Sequence, residues 1–287
     1  MSLVTVAKKE YLENVRNAWV IAVTVVFLAL TLLASAFSAA SETAANGAVG
    51  FAKIGPTLNV MDTLSGFMLP ILALMLGFGA IAGERESGSL GLLMAQPLRR
   101  SDIVIGKWLG LFAVLGTATI LGFGLGGLFV LARSGGTGAD FGTLLLFVLE
   151  TLAWGAAWTS VTLFLSAWFD RRGTAIAGSI GTWFFFSTLV WNLVVFLVIL
   201  ATLRDRLGSG RSGLLPNWMI VTQWLNPNAA YEGLASTTIS GFSGFVAFIG
   251  RSAMPDVWKA EWFGLALAAW IVVPFWGAYA LFHRKDA

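Results

Sequence analysis

The chain has 287 residues, of which 57% are hydrophobic and only 11% charged, and its formal net charge is +3. A water-soluble domain carries roughly a quarter charged residues, so this composition argues against one and for a chain solvated largely by lipid; so small a net charge also argues against nucleic acid as a partner. Cysteine is absent, which removes disulfides, thiolate catalysis and cysteine-ligated metal.

In chain order, residues 1–17 come first. Leu3, Val6, Ala7, Tyr11 and Val15 share one helical face, while Lys8, Lys9, Glu13 and Arg16 lie elsewhere on the wheel. That pattern predicts an interfacial helix on the membrane, with a solvated arm as the plainer alternative. Six apolar runs follow, at 18–40, 62–83, 104–132, 141–169, 173–203 and 260–282. Each is long enough to span a bilayer core, which takes about 20 residues. The first resembles a signal peptide through Ala34-Ser35-Ala36, but it is longer than a signal core and reads as an uncleaved span. The 13 Trp suit the lipid–water boundary and the 33 Gly suit closely packed membrane helices.

Lysine and arginine set the orientation. Lys8, Lys9, Arg16, Arg85, Arg99, Arg100, Lys107, Arg171, Arg172, Arg284 and Lys285 fall on one side, and Lys53 and Arg133 on the other in short loops. Both termini are therefore expected in the cytoplasm. The long 204–259 segment counts for little in that rule. It holds two weakly apolar stretches, 216–234 and 241–250, that are too short to span, with a break near Asn226-Pro227-Asn228. They read as re-entrant or surface-lying helices on the outer side, or as an external cap.

Most motifs carry no chemistry. Gly122, Gly124 and Gly127 match a dinucleotide fingerprint but lie mid-span, where no strand precedes them. The pairs Gly122/Gly126, Gly79/Gly83 and Gly106/Gly110 read instead as small-xxx-small crossings. No phosphate-binding loop is present, and the sole histidine, His283, sits at the end of the last span. No catalytic residue and no metal site is assigned. Glu150, alone in an apolar run, is a substrate-path candidate for a cationic ligand or a proton, or else an acid near the outer interface beside a polar partner. Asn192, Met68 and Met75 are weaker candidates; Met61, Met68 and Met75 recur every seven residues, about 10 Å apart along a helix axis, too far for one metal ion, so packing is the better account.

The stretch GERESGSLGLLMAQPLRR, residues 83–100, interrupts the apolar runs with Glu84, Arg85 and Glu86 at its start and Arg99 and Arg100 at its end. This complements a helix macrodipole, and Leu90, Leu93 and Met94 form an apolar face at i, i+3, i+4. Pro97 would end the helix, and Ser101-Asp102 can cap the next. A short cytoplasmic helix of about three turns is predicted, built either to dock in a partner's groove or to lie on lipid.

Here the sequence resembles the permeases of ABC-2-type transporters. Gly83, Glu84, Arg85, Glu86, Gly88, Ser89, Leu90, Leu92, Leu93, Ala95, Pro97, Leu98 and Arg100, followed by Ile103, Gly106 and Lys107, match the pattern those permeases carry between their second and third spans. The resemblance extends over the whole chain. Through Leu225, Asn226, Pro227, Asn228 and Tyr231 the chain looks most like the permeases that serve nitrous-oxide-reductase maturation. It implies an all-α polytopic membrane protein forming one permease domain, 1–287, with six transmembrane helices, an N-terminal interfacial helix, a cytoplasmic coupling helix within 84–103, and short outer helices before the last span. It further implies a permease homodimer in the inner membrane, driven by an ABC ATPase subunit that holds the ATP and magnesium, with an accompanying periplasmic protein. Glu84, Arg85, Glu86, Gly88, Leu90, Leu93, Met94, Pro97 and Arg100 would then couple the ATPase to the bundle, and this chain would bind no cofactor. Two other readings remain open: an intramembrane enzyme using Glu150, Asp62 or Glu84, and a self-contained carrier or channel.

Overall fold

The computed structural model describes residues 3–46, 54–95, 99–187, 190–191, 193–197, 200, 217–239, 242 and 257–285, and every regular element among them is helical. Helix α1 (Leu3–Val15) is followed by Asn17, whose side-chain oxygen accepts from the Trp19 amide at 3.0 Å and so starts α2 (Ala18–Asn46). The chain turns by 71° at this point. Helix α3 (Ile54–Gly77) leads through a turn into two short helices, α4 (Ala82–Glu86) and α5 (Ser89–Met94). Next comes α6 (Arg100–Thr119), a π-helical segment (Ile120–Leu125) and α7 (Gly126–Ser134), which stops where Gly135 takes a left-handed φ of 69°. Helix α8 (Gly138–Trp168) opens on a reciprocal cap between Thr137 and Asp140. Then follow α9 (Arg172–Ser187), α10 (Asn217–Trp224), α11 (Pro227–Thr238) and α12 (Ala260–Lys285).

Among the described residues, Ser65–Glu86, Arg100–Arg133, Gly138–Trp168 and Ala260–Lys285 are each long and apolar enough to cross a membrane, and the bent pair α1–α2 passes the same test as a unit. The chain is thus a polytopic helical membrane protein with four or five such elements. The predicted 173–203 span is entered by α9 and is helical again at 190–191, 193–197 and 200; the rest of it, with Asn192, lies outside the described residues, as does most of 204–259. Helix α8 is the hub, with 72% of its apolar window buried against 17% for α12. Its Trp154 and Trp158 are fully buried. The apolar side chains of α12 that are exposed, among them Val272, Val273 and Trp276, form an apolar outer surface of the bundle.

Close helix crossings fall where two of the three glycine pairs predict them. A Cβ on Gly122 would lie 2.5 Å from Phe27, and one on Gly126 2.5 Å from Thr31, both on α2. Gly106 and Gly110 admit α1 in the same way. Gly79 and Gly83 do not form a crossing; they flank the Arg172 side chain at ordinary contact distance.

Three local expectations change. The helix predicted over 84–98 is broken into two pieces, because Gly88 adopts a left-handed φ of 74° that ends α4 after five residues. The next helix begins at Arg100 with Arg99 as its N-cap, so Asp102 complements the helix dipole from the first turn rather than capping through its side chain. The apolar face of α1 is seated on α6, with Val6 and Glu10 buried there, rather than on lipid alone.

Candidate functional site

The elbow joining α3 to α6 lies at the end of the bundle that also carries α1 and the last turn of α12, where Arg100 reaches the His283 carbonyl at 3.4 Å. Its first turn is fixed from α8. The Ser166 hydroxyl accepts from the Ile81 and Ala82 amides, each at 3.0 Å, and donates to the Phe78 carbonyl at 2.8 Å. One serine thus satisfies donors that a helix start leaves unpaired.

The charged residues of α4 then point three ways. Glu84 turns inward to the Lys107 ammonium at 2.7 Å, and Lys107 also pairs with Glu10 of α1. Lys107 is 1% exposed, and one oxygen of Glu84 is buried with no partner among the described residues. Arg85 donates to the Phe169 carbonyl at 2.9 Å and reaches the Asp170 carboxylate at 3.4 Å, at the turn joining α8 to α9. Glu86 accepts from the Arg172 amide at 2.7 Å, where α9 begins. Lys285 of α12 closes the arrangement on the Trp168 carbonyl and, at 2.9 Å, on Asp170. That ammonium holds the Asp170 carboxyl below the usual carboxylate range, as a charge-assisted hydrogen bond does.

The remainder of the elbow faces outward. Glu86, Ser87, Gly88, Ser89, Gly91, Ala95 and Arg99 are exposed. Leu90 is not part of that surface: it is buried in the core, and Met94 packs partly against the same cluster. Leu93's side chain and the whole of Pro97 lie outside the described residues. Of the predicted apolar docking face, then, the described part turns inward to anchor α5, and the free surface is small and polar.

Glu150 lies far from this elbow, about a third of the way along α8 from its other end. It is 8% exposed, and one oxygen accepts from the Thr238 hydroxyl at 2.6 Å. Beside it the Tyr231 hydroxyl meets Thr151 at 3.3 Å, and its ring stacks on Trp154 at 4.5 Å. Asp62 of α3 touches Tyr231 and lies within electrostatic reach of Glu232. Asp62 and Glu150, from two separate helices, therefore approach one tyrosine, with Glu232 in reach of Asp62. Sequence reasoning missed this, since spacing along one helix cannot reveal it. Met61 is buried, Met68 partly buried and Met75 41% exposed, so the three sulfurs share no common environment. Glu84, bound to Lys107 at the opposite end, does not join Asp62 and Glu150 in any acid–base constellation.

The Asn226-Pro227-Asn228…Tyr231 run acquires a structural reason. Asn226 caps α11 through the Asn228 amide at 2.8 Å, and Pro227 occupies the first helical position. The Asn228 side-chain oxygen accepts from the indoles of Trp154 and Trp158 at 3.0 and 2.9 Å, and its amide donates to Ser187 at 2.8 Å. The break between α10 and α11 is thereby pinned midway along α8 and against the far end of α9.

Glu10 is the other residue missed. Its signal was present: it recurs four residues after Val6 on the apolar face of α1, where an acid needs a buried cation.

Comparison with known proteins agrees with this architecture. The family described as ABC-2 family transporter protein matches residues 4–287. A protein of Pseudomonas aeruginosa named "Probable ABC transporter permease protein NosY" is 33% identical over 285 residues, covering 98% of each chain. A protein of the same name from Stutzerimonas stutzeri is 32% identical over 286 residues, covering 98% of this chain and 97% of the relative.

Proposed function

Because the chain belongs to the ABC-2 family of transporter proteins, and so is the membrane permease of an ABC transporter rather than a catalytic enzyme, we propose that a partner ABC ATPase drives it through the elbow between α3 and α6. The observation that carries this reading is the elbow itself. Its outer surface, Ser87 to Ser89 with Gly91, Ala95 and Arg99, is exposed, while its inner side chains link α1, α6, α8, α9 and α12 through Lys107 and the 169–172 turn. A protein seated on α5 would therefore pull on all five at once. ATP and magnesium belong to the partner; this chain provides the lever.

In this scheme the whole chain is one permease domain, both termini lie in the cytoplasm, and two copies pair in the inner membrane. ATP closure of the ATPase pair biases the bundle between two arrangements, because the partner's contact energy with the elbow differs between them. Residues 173–203 complete a sixth span. Helices α10 and α11 form a re-entrant pair whose tip, Asn226–Asn228, is anchored at mid-depth; non-helical backbone there is tolerable because α8 and α9 satisfy it. Glu150, close to Thr238 and Tyr231, is the substrate-path residue this architecture supports best. Likeness to the two NosY-named relatives supports service in nitrous-oxide-reductase copper-site maturation, beside a periplasmic accessory protein.

The test uses the absence of cysteine. In membranes made without the ATPase, a Ser89→Cys variant should be modified by a membrane-impermeant maleimide in inverted vesicles and not in intact spheroplasts. The tagged chain should retain an ABC ATPase, and Gly91→Trp or Ala95→Trp should release it. Modification of Ser89→Cys from outside, or ATP hydrolysis by the purified chain alone, would overturn the proposal.

A further inference from the structure

We propose that Lys107 and Glu10, together with Glu84, are positioning residues for energy coupling: their buried three-charge cluster joins α1, α4 and α6 into one rigid body that carries motion of the elbow to the first span. This inference rests on the reading of the elbow as the ATPase seat.

The cluster draws its members from three elements. Lys107 is on α6, Glu84 on α4 and Glu10 on α1, and their side chains are 1%, 20% and 8% exposed. A lysine ammonium is strongly hydrated and tolerates such burial only with matched acceptors. An apolar residue at the same place would hold the fold at least as well, since buried ion pairs often lose to well-packed hydrophobic replacements. What the ions supply is register: the lysine has two carboxylates to satisfy, and neither α1 nor α4 can shift without leaving a charge unpaired.

The neighbouring backbone removes the remaining slack. A Cβ on Gly106 would lie 2.8 Å from Val6 and 3.1 Å from the Leu3 carbonyl; one on Gly110 would lie 2.7 Å from the Ala7 carbonyl. The two helices therefore meet main chain to main chain on either side of Lys107. Further along, Tyr11 meets the Thr117 hydroxyl at 3.2 Å. Two residues past the end of α1, Asn17 starts α2 at its 71° bend. A displacement of α4 is thus delivered through Lys107 to α6, and through Glu10 and α1 to α2.

Two measurements test this on the full chain. Nitroxides on Lys9→Cys and Ser89→Cys, both exposed positions on α1 and α5 in a chain with no native cysteine, report the α1–elbow separation by pulsed electron paramagnetic resonance in nanodiscs. The otherwise native chain should give one narrow distance. Glu84→Gln and Lys107→Met should broaden it, and Lys107→Arg, which keeps a cation between the two carboxylates, should stay narrower than Lys107→Met. In the unlabelled complex, Glu84→Gln and Lys107→Met should each lower permease-stimulated ATP hydrolysis by roughly tenfold, within the span of typical coupling factors, with KM for ATP unchanged, and Lys107→Arg should retain most of the stimulation. Narrow distances in both Glu84→Gln and Lys107→Met would overturn the rigid body. Unchanged stimulation in both would reduce the cluster to a structural role. If the native chain itself fails to stimulate the ATPase, the elbow reading falls and the positioning role with it, while the distance measurement still decides whether the three helices are locked.

Discussion

Replacing Gly110 with alanine tests whether α1 truly rests on α6. The added Cβ would lie 2.5 Å from the Cβ of Glu10 and 2.7 Å from the Ala7 carbonyl, against 3.4 Å for ordinary contact. Neither obstacle is the far end of a flexible side chain, so α1 must withdraw by about 0.9 Å. Overpacking of this kind costs roughly 1–3 kcal/mol, while alanine returns up to about 1 kcal/mol through helix propensity. The control is Gly142→Ala in α8, where nothing lies within 4 Å of the new Cβ and the propensity gain stands alone. The two substitutions should therefore differ by roughly 1–3 kcal/mol, with Gly110→Ala the less stable. The assay is reversible unfolding of the purified chain in mixed micelles, followed by tryptophan emission. Equal stability of the two variants would refute the contact.

Gly88→Ala should destabilise the elbow by about 1–2 kcal/mol through backbone strain alone, since its φ is 74° and the space around it is open; Gly88→Asn should recover part of it, as read by protease cutting between α4 and α5. Asn228→Ala leaves the Trp154 and Trp158 indoles without their shared acceptor and should cost roughly 2–6 kcal/mol, at about 1–3 kcal/mol for each orphaned donor, measured by the same unfolding assay. Asp170, lowered by its bond to Lys285, gives stability that is present above the ordinary carboxylate range and is lost as pH falls through its lowered value. Because its side chain is 71% exposed, salt screens the pairing. Asp170→Asn should therefore shift the thermal midpoint slightly at low salt and leave it unchanged at high salt.

Much of the fold was legible because lipid imposes a coarse rule. Apolar runs became α2, α3, α6 with α7, α8 and α12, and the glycines at 106, 110, 122 and 126 marked close crossings because a missing Cβ is visible in a sequence. What stayed hidden was partner identity. Lys107 reads as a charge near a span's edge; nothing in one-dimensional spacing says that it meets Glu84 and Glu10 together. Leu90 fits a docking face at i, i+3, i+4, yet the same periodicity serves a helix anchored inward, and burial decides between them. Gly88 was counted as part of a helix because a single glycine only weakens a helical pattern, whereas here its positive φ ends one.

The bonds of α4 also differ in what water does when they break, and this fixes which side of the elbow gives way. Arg85, Glu86 and Lys285 make their contacts to the 169–172 turn partly or wholly in solvent: the Asp170 side chain is 71% exposed, and that of Lys285 35% exposed. Each donor and acceptor there can be rehydrated when it separates, so the net loss is small. Lys107 has no such option, being 1% exposed between two carboxylates; separating it strands a buried charge, which typically costs about 3–5 kcal/mol. A pull on α5 therefore loosens the exposed contacts of α4 with the 169–172 turn before it loosens α4 from α6 and α1, while the buried Ser166 bonds keep the first turn of α4 on α8. The expected motion opens the far end of α4 away from that turn, with Arg85 and Glu86 exchanging protein partners for water. A pair of labels across Glu86 and Arg172 should report that opening while a pair across α1 and α6 stays fixed.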